Sequence, residues 1–324
     1  MYPIKRNRRL RSSEAIRSMV REQQLAPSDF IVPLFVVEGS DVKEEIASMP
    51  DYYRMSLDHL KKEVQELWSM GLQTVLLFVK VPDTLKDNKG KEALNPEGLM
   101  QRAIALVKET VPEMTVMTDV ALDPYSSFGH DGIVDKGVVV NDTTVEVLAQ
   151  MALSHAEAGA DFVAPSDIMD GRILAIRSLL EQEGFHNTGI LSYSAKYASG
   201  FYGPFRSALD SAPGFGDKKT YQMDFHNRKE ALVEAELDIE EGADIVMVKP
   251  GIAYLDIIRD LSNHIDVPLA AYQVSGEYAM LKAAAAKGWI EYDAIMYEQL
   301  IAFKRAGASL IATYCAKDAV RILG

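Results

Sequence analysis

Short runs of β-branched and aliphatic residues alternate with longer amphipathic stretches along almost the whole chain. The runs Phe30–Val36, Thr74–Val79, Thr115–Val120, Phe162–Ser166, Gly189–Ser194, Ile245–Val248, Pro268–Val274 and Leu310–Tyr314 are apolar on both faces. A parallel strand covered by helices on either side has that pattern. Between them, Leu57–Met70, Thr143–Ala158, Arg228–Glu241 and Tyr292–Ala306 carry apolar residues at helical spacing. A helix that ends in glycine and leads into a strand recurs at Met70-Gly71-Leu72, Ala158-Gly159-Ala160, Glu241-Gly242-Ala243 and Ala306-Gly307-Ala308. Glycine stops a helix there by taking the left-handed conformation. Four copies of one junction predict repeated βα units. Eight strands in one chain predict an α/β fold of the (β/α)8 class, a TIM barrel, with an extended N-terminal arm. No glycine-rich fingerprint follows the first strand, which weighs against a dinucleotide-binding doubly wound sheet. The predicted division is an arm over 1–28 and one barrel over 29–324.

Two connections break the rhythm. Asp123–Asp142 follows the third strand and Tyr197–His226 follows the fifth. The second mixes Gly200, Gly203, Gly214 and Gly216 with Phe201, Tyr202 and Phe205, the make-up of a lid or binding loop. Its Gly214-Phe215-Gly216 stretch is only a fragment of a phosphate loop.

Composition narrows the classes. A chain of 324 residues, 48% of them apolar, buries a large core without a disulfide or metal staple. The single Cys315 excludes an intrachain disulfide framework and any CxxC zinc or redox site, and suits a reducing cytosol. No apolar run is long enough to span a membrane, and the N-terminus lacks the apolar stretch of a secretory signal. The expectation is a cytoplasmic protein with no membrane partner. The net charge of −13 is uneven: residues 1–22 carry seven basic side chains against Glu14 and Glu22, a local +5, leaving −18 on the rest. A basic head on an acidic body reads as an arm that packs on an acidic neighbour. The acidic body repels phosphate backbones, so no nucleic-acid partner is expected. Nucleic-acid binding through the arm is the non-enzymatic alternative.

Active sites of such barrels lie at the C-terminal ends of the strands. Those positions hold Asp119 on the third strand, Asp167 on the fourth, Lys196 on the fifth and Lys249 on the sixth. One strand-end lysine is ordinarily half of an ion pair. Two on adjacent strands, with two carboxylates, point to chemistry. Desolvation and a second ammonium nearby lower a lysine pKa, and a neutral amine attacks a ketone to give a Schiff base that acts as an electron sink. Asp119 and Asp167 are placed to orient the amines or move protons. Arg206, Lys218 and Lys219, among the glycines and aromatics of the long connection, suit an anionic substrate group. A class I type aldolase uses the same strand-end lysines and is the enzymatic alternative. His130, in Gly129-His130-Asp131, lies on the connection after the third strand, and none of the six histidines has HExxH spacing.

At these residues the sequence resembles porphobilinogen synthase, also called 5-aminolaevulinate dehydratase, over essentially the full chain. The resemblance rests on Ser192-Tyr193-Ser194-Ala195-Lys196-Tyr197-Ala198-Ser199, Tyr202-Gly203-Pro204-Phe205-Arg206, Met247-Val248-Lys249-Pro250-Gly251 and Tyr272-Gln273-Val274-Ser275-Gly276-Glu277-Tyr278. It implies condensation of two 5-aminolaevulinate molecules to porphobilinogen with loss of two waters, in tetrapyrrole synthesis. It further implies that Lys249 forms the Schiff base with the substrate that becomes the propionate side, and that Lys196 binds the acetate-side substrate. Arg206 and Lys218 then grip the propionate-side carboxylate, where the family often has arginine at the second position. Ser275 and Tyr314 hold the acetate-side carboxylate. Phe201, Tyr202, Gln222 and Tyr272 complete the implied substrate-binding set.

The metal chemistry departs from part of the family. Zinc-dependent relatives carry three cysteines in the loop after the third strand, and here Ala121, Asp123 and Asp131 stand at those places. Carboxylates favour hard cations over zinc, so no catalytic zinc is expected. Asp123 and Asp131 either hold Mg²⁺ or a monovalent cation, or cap turns and organise water. Glu234 matches the family position for an allosteric Mg²⁺ outside the active site, and one carboxylate suffices for a hydrated ion. The resemblance also implies a homo-octamer of arm-hugging dimers, with the basic arm as the assembly device.

Overall fold

The computed structural model describes residues 3–209, 214 and 216–323. All eight predicted strands form: β1 Phe30–Val37, β2 Thr74–Lys80, β3 Thr115–Val120, β4 Phe162–Pro165, β5 Gly189–Lys196, β6 Ile245–Lys249, β7 Leu269–Gln273 and β8 Leu310–Thr313. Each pairs in parallel with the next, and β8 returns to β1 through Phe30↔Ile311 and Ile31↔Ala312. The sheet is a closed eight-stranded barrel with helices around it, and closure leaves no exposed barrel edge.

The helices predicted from periodicity run over Leu57–Ser69, Asn141–Glu157, Glu230–Glu240 and Tyr292–Ala306. The four junction glycines, Gly71, Gly159, Gly242 and Gly307, all have positive φ, between 82° and 119°. Burial explains the unbroken apolar runs: every residue of β1, β6 and β7 is buried, because the outer face of each strand meets a helix. Gly189 opens β5 for a steric reason. A Cβ there would lie 2.2 Å from the Phe162 ring across the strand pair.

The connections hold structure that periodicity does not reveal. After β1, Lys43–Glu45 and Tyr53–Met55 pair antiparallel, and the second also runs beside β1 through Phe35↔Arg54. Three residues are too few to show a period of two. In the connection after β3, Val134–Asp135 and Val138–Val139 form a hairpin that turns on Lys136 and Gly137, both with positive φ. The connection after β5 contains the helix Gly203–Leu209; of its glycine-rich fragment, Phe215 lies outside the described residues.

None of the side chains at 3–24 is buried, and Leu25 is the first to be so. Ile4, Leu10, Met19 and Val20 are exposed apolar side chains on this arm. Among the described residues no helix is long and apolar enough to cross a membrane.

Candidate active site

The site begins with an irregularity in β5. Val246 pairs with Ser192, but two residues later Val248 pairs with Ala195, so β5 carries one extra residue. The bulge brings Lys196 opposite Lys249 and points both side chains the same way. In unbroken register Lys249 would face Ala195.

Lys249 is buried in an aromatic cage. Its Nζ lies 4.6 Å from the Tyr272 ring centre, 4.8 Å from Tyr193, 5.0 Å from Phe205 and 5.5 Å from Tyr202. Burial first and the neighbouring Lys196 ammonium second lower its pKa to about 7, against a smaller opposing pull from Asp119. A substantial fraction of the amine is therefore neutral near pH 7. The backbone after it is held as well, since the Lys249 carbonyl accepts from Tyr197 N at 3.0 Å and from Tyr202 Oη at 3.1 Å.

Lys196 donates to the Ser166 carbonyl at the end of β4 and lies 3.6 Å from Asp131 Oδ2. Asp131 is the hub of this side. Lys218 Nζ approaches its Oδ1 at 2.5 Å and Asp123 Oδ2 at 3.3 Å, and Gln222 Nε2 donates to Asp131 Oδ2 at 3.4 Å. Burial pushes the Asp131 carboxyl up, yet the Lys218 and Lys196 ammoniums outweigh it and hold the group below its ordinary value. For Lys218 burial acts downward, and Asp123 with Asp131 carries the net shift upward.

Asp119 meets the opposite balance. Burial and then the Asp123 charge raise it to about 7, despite the two lysines and a hydrogen bond with Ser166. Its Oδ1 makes no hydrogen bond among the described residues. A carboxyl that titrates near neutrality beside a lysine that does the same can take and return a proton.

Asp119, Asp123, Asp131, Lys196, Lys218 and Lys249 line one cavity, joined by Arg206, Gln222 and Tyr202. Its volume is about 30 Å³, room for a single water, so substrate enters only if the side chains above it move.

Several expected residues lie elsewhere. Asp167 is fully buried but does not line this cavity. It accepts from Met169 N at 2.8 Å and faces Arg172 Nε at 3.8 Å, and burial raises it to about 6 against the Arg172 charge. Lys219 is exposed and pairs with Asp217, so it does not join Arg206 and Lys218 at the cavity. His130 is buried against the Tyr221 hydroxyl at 3.1 Å. The residues that the resemblance assigns to the two carboxylates are also grouped differently around the lysines. Tyr272, which packs on Lys249, bonds Tyr314 through their hydroxyls at 3.1 Å, and burial pushes both phenols up, so they stay neutral donors. Lys218 shares Asp131 with Lys196. The Tyr314 hydroxyl thus lies on the Lys249 side and Lys218 on the Lys196 side. Ser275 Oγ accepts the Phe205 N–H at 2.9 Å. Phe201 is half-buried and packs against the core beside these residues.

Glu234 lies apart, on a groove of about 380 Å³ shared with Asp170, Asp224, Glu230 and Asn227. Burial and then Asp238 raise its pKa, against Arg172.

Sequence reading assigned no role to the Ser166 carbonyl, Tyr193 or Glu277. A Tyr-x-x-Lys spacing ordinarily puts the two side chains on opposite faces of a strand, and the bulge removes that signal.

The family model described as delta-aminolevulinic acid dehydratase matches residues 4–322. The chain is 54% identical over 318 residues to the delta-aminolevulinic acid dehydratase of Bacillus subtilis, covering 98% of each chain. It is 51% identical over 327 residues to the Synechococcus elongatus enzyme, covering 100% of both. The chloroplastic enzyme of Glycine max is 53% identical, covering 98% of this chain and 78% of the relative. A solved structure from Toxoplasma gondii, a delta-aminolevulinic acid dehydratase in complex with its product porphobilinogen, superposes with a TM-score of 0.97 at 52% identity, covering 99% of this chain and 92% of that one.

Proposed function

The chain belongs to the delta-aminolevulinic acid dehydratase family, and on that premise we infer how its own residues carry out the reaction. The protein is a lyase of tetrapyrrole synthesis that condenses two 5-aminolaevulinate molecules to porphobilinogen, releasing two waters. The observation that carries the mechanism is the Lys249 amine, caged by four rings and brought to about 7 beside Lys196.

The neutral Lys249 amine attacks the ketone carbon of one substrate. Both amine protons pass in turn to the carbonyl oxygen, which leaves as water and gives an imine. Protonated, that imine withdraws electrons from the adjacent carbon, and Asp119 is the group poised to move protons there. Tyr272, Tyr314 and Ser275 hold the carboxylate of this substrate by hydroxyl donors. Ser275 can donate its hydroxyl proton to that carboxylate while its oxygen still accepts the Phe205 N–H, which joins the bound substrate to the segment above the cavity. Lys196, Lys218, Arg206 and Gln222 receive the second substrate. Its carboxylate replaces Asp131 and Asp123 as the partner of Lys218. Lys196 either orients this substrate or forms a second imine with it.

The donor set at 121, 123 and 131 does not fit zinc. It has no thiolate, and both carboxylates already neutralise Lys218. No step runs through a metal at this place. The Glu234 groove does fit a hydrated Mg²⁺: it presents hard oxygen donors, and the Asp238, Asp170 and Glu230 charges add to burial in raising Glu234. Glu234, with Glu230 and Asp170, would hold that ion, which supplies positive charge for allosteric activation. The arm leaves four large apolar side chains exposed and carries +5 against an acidic body, which supports docking on a second copy and assembly to an octamer. The lone buried Cys315 supports a cytoplasmic site of action.

An Ehrlich-reagent assay on metal-stripped protein tests this reading. Porphobilinogen should form from 5-aminolaevulinate, with stimulation by Mg²⁺ and no requirement for Zn²⁺. Glu234→Ala should blunt the Mg²⁺ response, and a chain lacking residues 1–24 should sediment as a smaller assembly. Zinc-dependent activity, or a Mg²⁺ response unchanged in Glu234→Ala, overturns the metal assignment.

A further inference from the structure

Three consecutive residues at the start of the helix Ser275–Ala286 each hold a different part of the site. Ser275 takes the Phe205 N–H. Gly276 admits the Phe201 backbone, whose carbonyl oxygen would lie 2.4 Å from a Cβ at this position. Glu277 reaches the turn after Lys249. Its Oε1 accepts from Ile252 N at 2.7 Å and its Oε2 from Val274 N at 2.8 Å. The N–H groups of Gly251 and Ala253 also face it.

Capping the helix needs only the Val274 contact. The other oxygen spans 25 residues of sequence to the β6 connection. An ordinary capping glutamate is exposed, but this one is 2% exposed and forms no ion pair among the described residues. A carboxylate buried without a cation is costly unless backbone donors surround it. Here the donors come from the segment that begins two residues after Lys249.

We propose that Glu277 is a positioning residue for the condensation: its carboxylate clamps the Gly251–Ala253 turn to the helix carrying Ser275, and so sets where the Lys249 amine meets the substrate carbonyl. It touches no reacting atom. The proposal rests on Lys249 as the imine-forming lysine. Displacements of about 1 Å in such an arrangement lower rates by roughly 10²-fold.

The test compares wild type, Glu277→Gln and Glu277→Asp. Gln keeps the size but turns an amide N–H toward a backbone N–H, and Asp keeps the charge but falls one methylene short. The readouts are kcat and KM for porphobilinogen formation, the pH dependence of borohydride trapping of labelled 5-aminolaevulinate on Lys249, and the melting temperature. The expected result in both variants is a kcat lower by roughly 10- to 100-fold with KM within about threefold. The trapping midpoint should also move alkaline by about one unit, as the amine leaves its cage for water. A variant that melts lower yet keeps wild-type kcat and midpoint reduces Glu277 to a helix cap and overturns the proposal. Failure of the wild type to trap label on Lys249 strikes the underlying mechanism instead, so the two failures are distinct.

Discussion

Lys196 and Lys249 face each other across two neighbouring parallel strands, and one extra residue in β5 puts them there. Without the bulge Ala195 takes that place and Lys196 turns to the opposite face, because side chains alternate along a strand. The pairing gives two buried amines a shared cavity, and the proximity of one makes the other easier to deprotonate.

Imine formation should therefore rise with pH through about 7, as the Lys249 amine becomes neutral. Lys196→Met removes the second-largest cause of the depression while burial, the largest, remains. The midpoint should move alkaline but stay below the ordinary lysine value. Borohydride trapping across pH measures it, and an unmoved midpoint would mean that the two amines do not interact.

Asp119 links the same site to stability. Its folded-state pKa of about 7 exceeds the ordinary 3.8, so the folded protein binds this proton more tightly than the unfolded chain. The contribution is fully present below the unfolded value and is lost as pH rises through about 7. Asp119→Asn abolishes that loss. The variant should match wild type in melting temperature near pH 4 and exceed it above pH 7, at about 2 °C per kcal/mol for a chain of this size. Its activity should fall by about 10²-fold or more.

Gly276→Ala adds a methyl 2.4 Å from the Phe201 carbonyl oxygen, against backbone that cannot simply rotate away. The segment bearing Phe201, Tyr202 and Phe205 must shift. Stability should drop by about 1–3 kcal/mol. Turnover should fall more than tenfold, because Tyr202 and Phe205 form two walls of the Lys249 cage. Denaturant unfolding and steady-state kinetics measure both effects.

Arg172 is buried with Asp238, at 3.1 Å, and also bonds Ser192 of β5 at 3.0 Å. Arg172→Met strands Asp238 and Asp167 as buried charges, a loss of about 3–5 kcal/mol. The urea midpoint should fall with little change in slope. Replacing Asp238 alone should be destabilising in the same way, since it leaves the guanidinium without its main partner.

Much of this molecule was legible along the chain. The barrel showed in apolar runs bounded by helix-stopping glycines, both local signals, and the two lysines showed because barrel strands end at one mouth. Asp167 illustrates the limit. It ends a strand as Asp119 does, yet its side chain turns to Arg172, and that arginine is placed by a helix packed against β5. The Lys218 contacts are equally opaque, joining residues 87 and 95 positions apart.

The order of strands and helices, the basic arm, the absence of zinc-binding thiols and the two lysines at neighbouring strand ends are written in hydrophobic period, composition and short motifs. Each of these is complete within a window of the chain. The register that aligns Lys196 with Lys249, the turning of Asp131 onto Lys218 and the reach of Glu277 to Ile252 are not. They arise when barrel closure brings distant strand ends together. A side chain's partner is then set by where the backbone bulges and which groups burial leaves in need of a hydrogen bond or a counter-charge.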